Sequence, residues 1–307
     1  MNSLLGILIP LFVPVILQFN LLNKSRNGLE WLVNVLMVAS LTLYMFLGEG
    51  WFLSSYYFRN LSLIILIVIV VISFTQLPSD AWTKHQILSP DWKTLIWYLI
   101  PSLIFCVLLY NQLIGTRYSG TAVSLRFPLK DGTYLFAQAG STGIVNHHHN
   151  AGSQNFAQDI VGLDNFGRHA SILIPTSLEQ YEIFGKPVYS PCDGVIATSV
   201  DGLHDINPED AMDTSHPAGN HVYIDCRNEN VQVLLAHMKN GSVSVKPGDT
   251  VNVGDPIGLV GNSGNTTEPH LHIHARVGGD LKEITGGTAV PILYNNRFYV
   301  RNEIFHE

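Results

Sequence analysis

The chain has 307 residues, of which 47% are hydrophobic and only 13% charged, about half the charge usual in a soluble globular domain. That composition places part of the chain in a membrane. With 17 lysines and arginines against 24 aspartates and glutamates, the net charge of −7 gives no basic footprint, so nucleic acid is excluded as the expected partner.

Apolar character is concentrated in the first third. Uncharged runs extend over Leu4–Leu22, Trp31–Leu47, Leu61–Leu77 and Thr94–Ile114. Each approaches the roughly 20 residues that carry a helix across about 30 Å of hydrocarbon. A single such run would read as a buried core helix or a signal peptide. Four in succession, joined by short polar loops, predict a bundle of four transmembrane helices over residues 1–116. The first run contains Pro10 and Pro14, has no basic stretch before it and no small-residue cleavage site after it, and is expected to be retained. Lys24 and Arg26 lie in the first loop, Lys84 and Lys93 in the third, and only Arg59 in the second. That bias puts loops one and three in the cytoplasm and both termini outside. The bilayer is therefore an expected partner.

Beyond Arg117 no run is long enough to span. Turn signals such as "KDGTY", "CDGV", "KPGD" and "GNSGN" alternate with short β-rich runs, "NHVYID", "VQVLLAHM" and "HLHIHARV". This texture predicts a mainly antiparallel β domain over 117–307, long enough to bury its own core. Cys106 sits in an apolar run. Cys192 and Cys226 form no C-x-x-C pair; a bridge between them is allowed but unsupported by spacing, and the redox compartment stays open.

The segment "GNSGNTTEPHLHIHARV" concentrates the chemistry. On a strand, residues i and i+2 share a face, so His270, His272 and His274 point one way and Leu271, Ile273 and Ala275 point into the core. A lone histidine there would read as an exposed polar position. Three in register beside a glycine-rich turn point to a site that binds a metal, moves protons, or both. Further donors stand in "NHHHNAGSQNFAQDIVGLD", with His147, His148, His149 and Asp159, and in "LLAHMKNGSV", with His237. Two histidines, one carboxylate and an open position make a known hydrolytic zinc arrangement. His169, His204, His216 and His221 are scattered and read as surface or structural residues, and Asp193 and Asp249 as turn residues. Glu268, beside Pro269, is an alternative general base that the spare histidines make unnecessary.

On these residues the chain resembles the lysostaphin-type, LytM-like zinc metallopeptidases. "FGKPVYSPCDGVI", "GNHVYID" and "LLAHMKNGSVSVKPGDTVNVGDPIGLVGNSGNTTEPHLHIHARV" are similar to family segments in order, and the likeness runs from about His147 to Val277. The resemblance implies a zinc cofactor with His272 and Asp159 as ligands. It also implies that His237 and His270 are catalytic non-ligand histidines that orient or deprotonate the attacking water. The family's first ligand usually stands in His-x-x-x-Asp, but four residues before Asp159 this chain has Asn155. Similarity to a branch with histidines just upstream implies that His148 substitutes. If the stretch is extended, His147 and His149 point elsewhere. His274 occupies a position where an acidic residue or glutamine is common, and is expected beside the ligands or exposed, rather than as a fourth protein ligand.

The expectation is a bacterial inner-membrane, multi-pass zinc endopeptidase whose extracytoplasmic domain cleaves peptide bonds of peptidoglycan. The alternative, to which Asn155 points, is a non-catalytic member that binds the cell wall or activates another hydrolase. The sequence identifies no regulatory protein partner.

Overall fold

A computed structural model of the chain describes residues 4–23, 25, 27–227, 230–281 and 283–307. Lys24 and Arg26, on which the reading of the first loop rests, lie outside them. The chain divides into two compact units, Asn2–Leu113 and Ile114–Glu307.

The first unit contains four principal helices: α1 (Leu4–Phe19), α2 (Gly28–Gly48), α3 (Phe58–Thr75) and α4 (Trp92–Ile114). The last three are long and apolar enough to cross a membrane by length and composition. At 16 residues α1 is shorter. It runs through Pro10 and Pro14, continues as a 3-10 turn over Asn20–Leu22, and on its own rises only about 24 Å. Three of the four expected spans thus meet that length as single α-helices, and the first expected run, Leu4–Leu22, is an α-helix completed by a 3-10 turn. Arg59 and Lys93, which the sequence assigned to loops, lie within the first turns of α3 and α4.

Polarity in this unit is inverted relative to a soluble bundle. Ile64, Ile67, Val71, Trp97, Leu103 and Val107 are exposed, whereas the interior contains polar clamps. The buried Gln18 donates to Thr42 Oγ1 at 3.2 Å and to the Ser62 carbonyl at 3.1 Å. Trp31 donates to Ser73 Oγ at 3.0 Å, and Gln112 to the Tyr44 carbonyl at 3.0 Å.

The second unit is built on a nine-stranded antiparallel sheet. Its principal strands are β1 (Thr133–Gln138), β2 (Gln158–Leu163), β3 (Gly194–Val200), β4 (Asn220–Cys226), β5 (Val231–Met238) and β6 (Leu271–Val277). The order across the sheet is Ile304–His306, β1, β2, β6, β5, β4, β3, Thr250–Val251, with Thr288–Val290 pairing the far half of β6. A small three-stranded sheet contains one parallel pair, Val123–Ser124 with Ile292–Tyr294. The expected mainly antiparallel β domain is therefore found.

One sheet face is mainly apolar, with the buried Gln158 opposite Ile273. Ile160, Val222, Ile224, Val233, Leu235, Leu271, Ile273 and Ala275 join a single buried core with Phe127, Phe136 and Tyr294. Because β6 alternates, burying Leu271, Ile273 and Ala275 turns His272 and His274 to the opposite face. Cys192, just before β3, is bridged to Cys226 at the end of β4. This pairing was merely allowed by the sequence.

Candidate metal centre

The centre is assembled by strand register. In β6, His272 pairs with Asp159 of β2 on one side and with Ala236 of β5 on the other, and directly opposed residues share a face. The Asp159 carboxylate and the His272 ring are thereby brought together, with Asp159 Oδ1 2.9 Å from His272 Nδ1. His148 Nε2 approaches the same carboxylate at 2.9 and 3.1 Å.

His148 arrives on a turn, not on extended chain, so alternation does not separate it from its neighbours. His147 stacks against it with ring centroids 4.0 Å apart and reaches within 3.9 Å of Asp159 Oδ2. His147 is largely exposed, whereas the His148 side chain is 14% exposed. The turn is held from within: the buried Asn146 accepts from the His148 N–H at 3.1 Å and donates to the carbonyls of Gly140 and Ala157, each at 3.0 Å.

Asn155 has a different task from the histidine that its position led the sequence to expect. Its side-chain oxygen accepts from the Asn150 N–H at 2.9 Å and closes the loop between them. Gly152 within that loop has φ +61°, and a Cβ there would lie 2.3 Å from the Thr285 carbonyl oxygen. Ser153 is tied to the same neighbouring loop through Ile284 O at 2.9 Å and Thr285 O at 3.0 Å.

His237 stands where strand alternation would send it away from Ala236 and into the core. The β4–β5 register shifts between Asn220 and Val222, and His237 adopts φ +61°. A non-glycine residue in this left-handed region costs on the order of 1–3 kcal/mol, a strain that gathers at functional sites. The kink swings the ring to within 4.7 Å of His270 and 5.8 Å of His272, centroid to centroid. His237 Nδ1 donates to the Ser263 carbonyl at 2.8 Å and His270 Nδ1 to the Glu268 carbonyl at 2.9 Å. Protonating each ring at Nδ1 leaves each Nε2 with its lone pair, and His270 Nε2 lies 3.5 Å from Asp159 Oδ1.

Two compact triads result, His237/His270/His272 and His147/His148/Asp159, the donor atoms of each within 4.8 Å of one another. They meet at Asp159, whose Oδ1 faces His272 and His270 and whose Oδ2 faces His148 and His147. Burial opposes ionisation of Asp159, but the charges and hydrogen bonds of His148 and His270 prevail and hold it well below the usual carboxylate range. Burial lowers His272 to about 4 against the pull of Asp159. Burial, with the charges of His270 and His272, pushes His237 well below its ordinary value. His270 is raised: burial disfavours its charge, and Asp159 outweighs that penalty. A carboxylate held ionised beside imidazole nitrogens is a donor set that a zinc ion takes, and His148, Asp159 and His272 would hold it.

The remaining sequence candidates separate cleanly. His274 is buried, and its Nδ1 lies 3.1 Å from His272 Nε2, so it contacts a ligand candidate from behind. His216 is an exposed partner of Asp213 at 2.7 Å. His221 Nδ1 donates to the Gly219 carbonyl at 2.7 Å, and His204 contacts Asn240. Asp249 accepts the Lys246 N–H within its own turn, as turn residues do, whereas Asp193 accepts the N–H of Val253, sixty residues on, and ties two loops together. Sequence reasoning missed Asn146, Ser153 and the fully buried Arg276. The Arg276 guanidinium donates to the carbonyls of Asp280, Glu283 and Gly286 at 2.6–3.1 Å and so shapes the loop that ties Ser153. Its place on the histidine strand was the available signal.

Residues 180–284 match the family described as Peptidase family M23, a segment that contains His237, His270 and His272 but begins after His148 and Asp159. The chain is 35% identical over 96 residues to the peptidoglycan DD-endopeptidase ShyA of Vibrio cholerae serotype O1, covering 31% of this chain and 18% of that protein. It is 34% identical over 88 residues to an uncharacterized metalloprotease of Buchnera aphidicola subsp. Baizongia pistaciae, covering 29% and 19%. The matched part thus spans about a fifth of each relative. Among solved structures, lysostaphin from Staphylococcus simulans matches at 26% identity over 32% of this chain and 35% of that one, with a TM-score of 0.25.

Proposed function

We propose that this chain, whose C-terminal unit belongs to peptidase family M23, is a membrane-anchored zinc metalloendopeptidase hydrolysing peptide bonds of peptidoglycan. One observation carries the reading: a single buried carboxylate, Asp159, is clamped between His148 and His272, while His270 and His237 offer free Nε2 atoms beside it. When bound, zinc supplies Lewis-acid polarisation of the scissile carbonyl and lowers the pKa of water toward about 7. The protein's own work is orientation and proton handling. The Ser263 and Glu268 carbonyls fix Nδ1–H on His237 and His270, so each Nε2 is set to take a proton from the attacking water and return it to the departing amine.

The anchor is supported by three helices of spanning length and by their polarity, apolar outside and hydrogen-bonded inside, the pattern of helices packed in lipid. The disulfide supports an extracytoplasmic domain, because such bonds persist in oxidising compartments. The catalytic reading is favoured over a non-catalytic member because Asn155 has a structural task, closing the loop that follows His148.

The test replaces His147, His148 and His149 singly by alanine and measures bound zinc in the full chain. Loss confined to His148→Ala is expected. Loss confined to a neighbour reassigns the ligand. A wild-type chain that binds no zinc refutes the enzymatic reading.

A further inference from the structure

We propose that His169 and Glu268 form a positioning pair that fixes the ring of His270, an inference that rests on the hydrolytic reading above. His270 follows a turn whose last peptide is Glu268–Pro269. Pro269 has no N–H, so the carbonyl at position 268 is the polar group through which that peptide unit can be held. That carbonyl accepts from His270 Nδ1 at 2.9 Å and from Thr266 Oγ1 at 2.9 Å. Its orientation therefore sets where the His270 ring points and which ring nitrogen is protonated.

The Glu268 side chain reaches His169. Its carboxylate Oε2 lies 3.2 Å from Nε2 of His169, with side chains 15% and 2% exposed. This is an ion-pair distance, off hydrogen-bond alignment. His169 is itself anchored. Its ring stands edge-on to Tyr181 at 5.4 Å, its carbonyl accepts from Glu182 N–H at 2.9 Å, and Ala170 bridges to Tyr181. A residue nearly a hundred positions upstream thus pins the turn that carries the proton-transfer histidine. The same contact turns the Glu268 carboxylate toward His169, which argues against its serving as the general base.

The experiment uses the full chain in detergent, loaded with zinc, with a soluble cross-linked peptidoglycan peptide as substrate. His169→Ala and Glu268→Ala are each expected to lower kcat about 10–100-fold, the scale of a misplaced catalytic group, with KM and bound zinc unchanged. The double variant should be no slower than either single one. Glu268→Gln, which keeps the side chain's size but not the charge facing His169, should lower kcat as Glu268→Ala does. A second readout needs no turnover: ¹⁵N shifts of the His270 ring should report one Nδ1-protonated tautomer in the wild type and a mixture in Glu268→Ala. Wild-type kcat in Glu268→Ala, losses that appear in KM or zinc content, or an unchanged tautomer would overturn the pair. If His169→Ala does not fold, Glu268→Ala, whose side chain is partly exposed, carries the test. A wild-type chain that holds zinc and hydrolyses nothing would refute the hydrolytic reading, and the His270 shifts would still decide whether the pair fixes the ring.

Discussion

Two histidines that share a strand face differ in what each nitrogen can do. His272 presents Nδ1 to Asp159 while its Nε2 is occupied by His274, which makes it a ligand candidate backed by a second imidazole. His270 has Nδ1 committed to the Glu268 carbonyl and only Nε2 free for proton transfer. His272→Ala is therefore expected to lose both zinc and activity. His270→Ala should keep its zinc and lose about 10²–10⁴-fold in kcat, the usual share of a general acid–base group. Full zinc and full activity in both variants would refute the assignment. Protonation also separates the metal-free protein from its unfolded chain. His237, His272 and His274 have folded pKa values below the ordinary 6.5, so between pH 6.5 and about 4 the unfolded state binds more protons and stability falls as pH falls. His270 is shifted the other way and is outnumbered. The apo full chain should melt at a lower temperature at pH 5 than at pH 7.5. An unchanged or higher melting temperature at pH 5 would mean that these rings are not buried in the neutral form.

Elements explain which residues the sequence could reveal. The period of β6 was legible because alternation is local, and Leu271, Ile273 and Ala275 do enter the core opposite His272. The place of His237 was not legible, because its direction depends on a register shift against β4 and a left-handed φ, which only the partner strand reveals. The His147–Asn155 turn was half legible. Three adjacent histidines and a displaced asparagine pointed to a changed ligand, but the hydrogen bonds of Asn146 and Asn155 depend on how the turn closes on itself and that of Ser153 on a loop more than a hundred residues away. Gly152 tests this turn. Alanine there meets both a positive φ and the Thr285 carbonyl at 2.3 Å, a backbone obstacle that cannot rotate away. Gly152→Ala should cost about 1–3 kcal/mol in stability and weaken zinc binding by moving His148. A chelator competition that finds wild-type affinity would show that the loop does not deliver the ligand.

At the scale of the whole molecule the proposed function asks opposite things of the two units, lipid burial of one and an oxidising aqueous compartment for the other. The four apolar runs were legible by length alone, whereas the change from α-helix to 3-10 turn at Asn20 was not, since helix ends are fixed only to within one or two residues. The side on which the β unit emerges does not depend on whether α1 spans. On the proposed topology it is set by α4: Lys84 lies before it and Lys93 in its first turn, against the single Arg59 at the start of α3, a bias that favours the cytoplasm for the N-terminus of α4 and the outside for Ile114. The Cys192–Cys226 bridge gives an independent argument for the same side. Closing a loop of 34 residues constrains the unfolded chain by about 3–4 kcal/mol, and in a reducing cytoplasm that contribution would be lost. A reporter that is active only outside the cytoplasm, fused after Glu307, should therefore be active. Protease added to intact spheroplasts should remove the unit beyond Arg117, and thiol labelling of the protein from unreduced cells should find Cys192 and Cys226 blocked. Reversing the charge bias by Lys84→Glu and Lys93→Glu should lower the reporter signal. Cytoplasmic behaviour of the wild-type fusion, with both thiols free, would remove the cell wall from the substrates this chain can reach.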